Sequence, residues 1–133
     1  MHINHLAIWV DDIEKMKEFY VTYFGCISNE KYFNPNTEYT SYFLSFPGDT
    51  CRIELMHRYD IAQPARRNFM KGMAHFDITV GDEEKVDEMV DMFRNAGITI
   101  ASEARLTGDG YYEAGIFDPE GNLIDLSAIR TDI

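Results

Sequence analysis

The sequence is poor in the residues that cross-link or stiffen small extracellular domains. Its 133 residues include two cysteines, four prolines and one tryptophan. We interpret Cys26 and Cys51 as free thiols, because nothing else in the sequence indicates an oxidising compartment. No basic segment followed by an apolar stretch opens the chain, and no apolar run approaches the ~18–20 residues that a membrane span needs. These absences predict a cytoplasmic protein.

Positive charge is also scarce. Lysine and arginine together number 12 against 23 aspartates and glutamates, which gives a formal net charge of −11. Nucleic acids and anionic membrane surfaces are themselves negative, so we expect the protein to bind neither. The hydrophobic fraction of 45% and the aromatic fraction of 14% suffice for a packed core. The chain is therefore expected to form a single small domain.

The chain contains an internal repeat. Aligning His5 with His75 gives seven identical pairs in fourteen positions, namely His5/His75, Ile8/Ile78, Val10/Val80, Asp12/Asp82, Glu14/Glu84, Lys15/Lys85 and Glu18/Glu88. With one further residue of offset, Ile53-Glu54-Leu55 aligns with Ile124-Asp125-Leu126. A repeat of this length predicts one supersecondary unit used twice.

Each half shows the same order of patterns: an alternating strand, an amphipathic helix and three more strands. In the first half the strands are expected near residues 3–10, 27–33, 40–46 and 51–56, and the helix between an N-cap at Asp12 and a C-cap at Gly25. In the second half the strands are expected near residues 74–80, 98–104, 111–117 and 122–128, and the helix at 82–96. The prediction is an α+β fold with tandem βαβββ modules at 1–57 and 73–133, joined by a linker at 58–72. Together the modules should form a curved mixed sheet whose open face is a cup.

Strand alternation predicts which side chains face this cup. On the first strand Leu6, Ile8 and Val10 should pack on the helix, which leaves His5 on the open face. The same reasoning gives Glu54, His75 and Asp125 equivalent inward positions. A core role for each histidine is the alternative, but packing gives no reason to repeat an inward carboxylate beside each one. Two imidazoles and two carboxylates suit a borderline divalent metal.

Other residues are expected to line the pocket around the metal. The predicted pocket residues are Trp9, Arg52, Asp77 and Tyr112. Aromatic side chains in strands also serve commonly as core residues, so that alternative stays open for Trp9 and Tyr112.

These segments resemble the vicinal oxygen chelate superfamily, which includes glyoxalase I, fosfomycin-resistance proteins, extradiol dioxygenases and bleomycin-binding proteins. The resemblance covers the whole chain and is most specific in Asp118-Pro-Glu-Gly-Asn122, which leads to Asp125-Leu126. The metal-ligand pattern is most similar to that of glyoxalase I, although position 125 carries Asp where that family has Glu. By this resemblance His5, Glu54, His75 and Asp125 are the metal ligands, and Glu54 and Asp125 are the catalytic carboxylates.

The resemblance implies a glyoxalase-like lyase or isomerase that acts on a small carbonyl or hemithioacetal, with the lactoylglutathione lyase type as one candidate. Proton transfer would take place next to a metal-bound oxygen. Zinc or nickel is the expected metal, with manganese, iron or cobalt as alternatives. A homodimer is also expected. The alternatives are an antibiotic-binding protein without catalysis, which would lack the metal ligands, and an extradiol-type dioxygenase.

Overall fold

The computed structural model describes residues 1–131, and the chain folds as two compact units. Unit 1 comprises Met1–Gln63 and unit 2 begins at Pro64. Neither of the two helices in the described residues is long and apolar enough to cross a membrane.

Unit 1 contains one helix and five strands, which are β1 (His5–Trp9), α1 (Ile13–Phe24), β2 (Ile27–Ser28), β3 (Tyr32–Asn34), β4 (Tyr39–Ser45) and β5 (Arg52–His57). The sheet has the order β1-β5-β4-β2, and β3 also pairs with β4. Strand β1 runs parallel to β5, whereas the other pairings are antiparallel. The first and last strands of the unit therefore lie side by side.

Unit 2 contains one helix and four strands, which are β6 (His75–Gly81), α2 (Glu83–Asn95), β7 (Ile100–Leu106), β8 (Tyr112–Phe117) and β9 (Leu123–Ala128). Its sheet has the order β6-β9-β8-β7, with β6 parallel to β9 and the other pairs antiparallel. This is the topology of unit 1, and it confirms the predicted repeat of one βαβββ arrangement.

The helix ends lie where the sequence predicts them. The Asp12 side chain accepts a hydrogen bond from the Lys15 backbone N–H, and Asp82 does the same for Lys85. Such N-caps satisfy amide groups that have no partner within the helix. Gly25 ends α1 at φ 67°, a conformation that glycine adopts without steric cost.

Each helix covers one face of its own sheet. In unit 1 the fully buried side chains include Met16 and Tyr20 of α1 and Leu55 of β5. In unit 2, Val86 and Val90 of α2 pack in a cluster with residues of β8 and β9. Because side chains alternate along a strand, the opposite face of β1, β5, β6 and β9 is left for polar residues.

The structure differs from the predicted strands in one respect within unit 1. The predicted strand 27–33 is divided into β2 and β3, with Asn29 at the break. The Asn29 side chain accepts a hydrogen bond from the Phe43 backbone N–H at 2.8 Å, in place of a backbone carbonyl. Because a side-chain oxygen takes the place of the backbone carbonyl, the pairing with β4 can change register between Ser28 and Tyr32.

The sheets also differ from the prediction. One larger mixed sheet was expected, whereas backbone pairing within residues 1–131 gives two mixed sheets, one for each unit. The α+β class with two βαβββ units is confirmed. Side-chain periodicity predicts where strands occur, but it contains no signal for which strands pair.

Both cysteines are free, as predicted. Burial raises the pKa of the Cys26 thiol to about 12. At about pH 8 only roughly one such thiol in ten thousand is ionised, and the thiolate is the form that reacts with alkylating agents. We expect iodoacetamide to modify the partly exposed Cys51 in the native protein and to leave Cys26 intact, as measured by peptide mass spectrometry. Both should react in guanidinium, and rapid native modification of Cys26 would contradict its burial.

Candidate metal centre

A histidine and a carboxylate lie close together on the open face of the sheet in unit 1. The register of the parallel pair places Ala7 opposite Glu54, two residues after His5. The period of two along β1 puts His5 on the same face as Ala7, so the imidazole lies beside the carboxylate. His5 Nε2 is 3.8 Å from Glu54 Oε1, and the two side chains are 37% and 15% exposed.

A tyrosine hydroxyl orients the Glu54 carboxylate. Tyr39 donates a hydrogen bond to Glu54 Oε2 at 3.1 Å. Burial is the main cause that raises the pKa of Tyr39, which keeps the hydroxyl protonated and able to donate. With Oε2 engaged, Oε1 is the oxygen that faces His5.

The other predicted residues of unit 1 lie around this pair. The Trp9 indole, 43% exposed, contacts Tyr39 edge-on with ring centroids 6.2 Å apart. The Arg52 guanidinium lies over the Phe43 ring at 4.5 Å. Trp9 and Arg52 therefore border the His5–Glu54 pair from opposite ends of the parallel strands, since they occupy the last position of β1 and the first of β5.

Unit 2 repeats the histidine–carboxylate pair. Asp125 is paired in register with Asp77, which again lies two residues after the histidine. His75 Nε2 is 3.1 Å from Asp125 Oδ2, and the Asp125 side chain is 15% exposed. Gly115 lies opposite Asp125 on β8. A Cβ atom at this position would lie 2.8 Å from Ser102 Oγ and 3.3 Å from Asp125 Oδ1, so the glycine leaves space for both side chains.

Two more carboxylates approach Asp125. Ligand oxygens of Asp77, Glu113 and Asp125 lie within 4.8 Å of one another. Burial, together with the Asp125 charge, raises the pKa of Asp77 although Ser127 donates a hydrogen bond to it. Burial and the Asp125 charge also raise the pKa of Glu113. The charged forms of these groups are disfavoured by their surroundings.

These side chains lie in an open cavity of unit 2. It has a volume of about 610 Å³ and is lined by His75, Asp77, Thr79, Asp109, Tyr111, Glu113, Asp125, Ser127, Ala128, Ile129 and Arg130. A cavity of this size can hold a small molecule. The unit 2 residues predicted as ligands and Asp77 are therefore all accessible from one pocket.

The prediction for Tyr112 is wrong. Its hydroxyl donates a hydrogen bond to Asp87 of α2 at 2.7 Å, and its ring packs on the helix-side core. Tyr112 therefore faces the helix and not the open face, and its neighbour Glu113 lies on the open face. Tyr111 and Glu113 line the cavity, and Glu113 is the one that the sequence reasoning missed. The buried small residue Ala114 beside Glu113 was the available signal for this phase.

The donor atoms are consistent with divalent metal binding. Two ligands about 2.0–2.2 Å from one ion lie roughly 3.0–3.5 Å apart in tetrahedral or octahedral geometry. The distance of 3.1 Å from His75 to Asp125 falls within this range. The distance of 3.8 Å from His5 to Glu54 requires only a small side-chain rotation. Each unit thus offers one imidazole and one carboxylate in chelating positions.

Comparisons with known proteins identify the family. The sequence model of the Glyoxalase/Bleomycin resistance protein/Dioxygenase superfamily matches residues 2–126. A probable lactoylglutathione lyase of Vibrio cholerae is 29% identical over 128 residues, which span 93% of this chain and 88% of that protein.

Solved structures show the same fold. The trypanothione-dependent glyoxalase I of Leishmania major aligns with a TM-score of 0.76 at 26% identity, over 96% of this chain and 86% of that one. A glyoxylase/bleomycin resistance protein/dioxygenase domain of Frankia aligns with a TM-score of 0.82 at 13% identity, over 100% and 95%. With a family match that spans nearly the whole chain and a repeated βαβββ topology, the protein belongs to the glyoxalase/bleomycin resistance protein/dioxygenase superfamily.

Proposed function

We propose that the protein is a divalent-metal-dependent lyase or isomerase of the glyoxalase type, with a small carbonyl compound or hemithioacetal as substrate. The observation that carries the proposal is the histidine–carboxylate pair, which recurs at the parallel strand pair of each unit. The similarity to a probable lactoylglutathione lyase makes a glutathione hemithioacetal the first substrate to test.

In this proposal His5, Glu54, His75 and Asp125 are the metal ligands. Imidazole nitrogen and carboxylate oxygen together suit zinc or nickel first, with manganese, iron or cobalt as further candidates. Such an ion, when bound, supplies a Lewis acid that polarises a carbonyl oxygen. The predicted cytoplasmic location is part of the proposal and is supported by two free cysteines.

The protein's own groups would hold and move the proton. Glu54 has one oxygen held by Tyr39. Its other oxygen, Oε1, would serve in turn as a ligand of the ion and as the acceptor of a proton from a carbon next to a carbonyl group, not as both at once. Asp125 is the equivalent carboxylate of unit 2 and shares its cavity with Asp77 and Glu113. Burial and the Asp125 charge raise the pKa of Asp77 and of Glu113, so each takes up a proton more readily than an exposed carboxylate does.

The assembly we propose is a symmetric homodimer. Two-fold dimers are the commonest assemblies of soluble oligomeric proteins, and a stable two-fold interface buries more than roughly 1,000 Å². Light scattering at micromolar concentration should give twice the chain mass of 15.4 kDa. A mass of one chain under these conditions would contradict the dimer.

Metal binding predicts a specific change in thermal stability. In chelator-cleaned buffer, zinc or nickel should raise the melting temperature of the wild-type protein, because an ion that binds only the native state stabilises it. The gain is about 2.7 kcal/mol at a hundredfold excess over Kd. In Glu54→Gln most of this rise should disappear, since an amide is a poor metal ligand but still accepts the Tyr39 hydrogen bond.

Glu14→Gln is the matched control for this experiment. Glu14 also accepts a tyrosine hydroxyl, from Tyr42, but it lies on α1 and pairs with Lys31. Its variant should keep the full metal-dependent rise. No response of the wild-type protein to either metal would refute metal dependence and favour the non-catalytic binding protein.

The role of Tyr39 predicts a graded loss of activity. Glu54→Gln should lower kcat/KM by about 10²–10⁴-fold, the usual contribution of a general acid or base. Tyr39→Phe should lower kcat/KM by about 10-fold or somewhat more, because it leaves the carboxylate in place but unoriented. Spectrophotometric isomerisation of a hemithioacetal measures both. Equal activity of wild-type and Glu54→Gln protein would exclude this carboxylate from the reaction.

A further inference from the structure

The side chain of Asn4 bridges His5 and Arg52. Asn4 Oδ1 lies 2.7 Å from Nδ1 of His5 and 2.8 Å from Nη2 of Arg52. Neither contact is required by the βαβββ fold. Asn4 lies before β1, outside the strand pairing, and the three polar side chains are not part of the helix-side core. The Arg52 backbone N–H also donates to the Asn4 carbonyl at 3.1 Å, which holds the two residues side by side.

This bridge determines where the proton of the neutral His5 ring lies. A guanidinium group can only donate hydrogen bonds, so the Asn4 atom that faces Arg52 must be the amide oxygen. The same oxygen faces His5 Nδ1, and an oxygen without hydrogen can only accept. Nδ1 must therefore carry the proton. In a neutral imidazole the other nitrogen, Nε2, then carries the lone pair.

We propose that Asn4, held by Arg52, is a positioning residue that fixes His5 in the Nδ1–H tautomer and presents the Nε2 lone pair to the metal position beside Glu54. The role in metal binding rests on the proposed function, whereas the tautomer does not. A lone pair that faces a carboxylate oxygen at 3.8 Å is unfavourable unless a proton or a metal ion lies between them. Hydrogen bonding to the second ring nitrogen is how proteins fix the tautomer of metal-binding histidines.

Packing holds the bridge in place. Phe43 lies opposite Glu54 on β4, and the His5 ring meets it edge-on with centroids 5.1 Å apart. Arg52 stacks over the face of the same Phe43 ring at 4.5 Å. Asn4, His5, Arg52 and Phe43 thus form a closed ring of contacts, which restricts rotation of the imidazole and of the asparagine amide.

The internal repeat shows that this bridge is not a general consequence of the fold. In the alignment of the two halves, Ala74 takes the place of Asn4 and Leu123 the place of Arg52. Neither side chain can form a hydrogen bond to His75. The strand register likewise puts Gly115 opposite Asp125, where unit 1 has Phe43 opposite Glu54. The positioning device belongs to unit 1 and to His5.

The tautomer can be read directly by ¹⁵N NMR of the metal-free protein at about pH 8, where imidazoles are mostly neutral. We expect His5 Nδ1 to have the shift of a protonated nitrogen and Nε2 that of an unprotonated one, with the assignment taken from His5→Gln. In Asn4→Leu the shifts should move toward the Nε2–H tautomer that a free side chain prefers. Asn4→Asp should keep the wild-type pattern, since its carboxylate accepts both bonds.

Arginine variants test the other half of the bridge. Arg52→Met should release the Asn4 amide to rotate and move the His5 shifts in the same direction as Asn4→Leu. Arg58→Met is the matched control, because Arg58 pairs with Asp60 and has no contact with the bridge. An Nε2–H tautomer in the wild-type protein, or unchanged His5 shifts in Asn4→Leu, would overturn the proposal.

Zinc affinity measured by competition with a chelating dye tests the consequence for binding. Asn4→Leu should weaken binding by about 10–100-fold, the usual effect of losing a residue that orients a ligand, and Asn4→Asp should restore it. Equal affinity of wild-type and Asn4→Leu protein would refute the positioning role. Absence of zinc binding by the wild-type protein would instead refute the proposed metal centre, and the NMR result would still decide the tautomer.

Discussion

The parallel pairing of the first and last strands of each unit is the constraint on which the candidate site depends. In unit 1 this pairing sets Ala7 opposite Glu54, and in unit 2 it sets Asp77 opposite Asp125. Because side chains two residues apart share a face, the histidine that precedes each of these positions lies beside the carboxylate. A shift of one residue in the pairing of either unit would turn the histidine or the carboxylate of that unit toward the helix-side core.

The two units use this common frame differently. In unit 1 the aromatic rings of Phe43 and Tyr39 surround the pair, contacting His5 and Glu54 respectively. In unit 2 a glycine replaces the aromatic ring opposite the carboxylate, and the space is lined by polar groups of an open cavity. The repeat keeps the histidine–carboxylate pair and changes what surrounds it. One unit positions its side chains tightly, and the other provides volume for a small molecule.

Much of this arrangement was predictable from the sequence, and the exceptions have identifiable causes. The repeat and the alternation of β1 and β6 are strong signals, so His5 and His75 could be placed on the open face without coordinates. The signal for the phase of β8 is weaker and consists of the apolar residues Ala114 and Ile116 at a spacing of two. Tyr112 is amphipathic, so it satisfies either face, and its hydrogen bond to Asp87 depends on where α2 lies.

The Asn4 bridge illustrates a different limit. Nothing in the sequence distinguishes Asn4 from any polar residue before a strand, and its partner Arg52 is distant along the chain. Only the parallel register, which places His5 beside Arg52, brings the three side chains together. The candidate ligand residues follow the strand periodicity of the fold, so the sequence alone can predict their positions. Residues such as Asn4, which orient a candidate ligand, can be identified only from their contacts in the three-dimensional structure.

The cluster of carboxylates in the unit 2 cavity would favour a bound cation. Asp77, Glu113 and Asp125 are close enough to repel one another, and burial raises the pKa of both Asp77 and Glu113. In a protein of net charge −11, such a cluster costs free energy unless something offsets it. A divalent cation is the largest local charge that a site can acquire, and near Asp125 it would reverse the sign of the local potential. The same carboxylates that destabilise the metal-free cavity would then attract the bound ion. Because the ion would bind only the native state, metal binding would raise the free energy of unfolding that the cluster lowers in the metal-free protein.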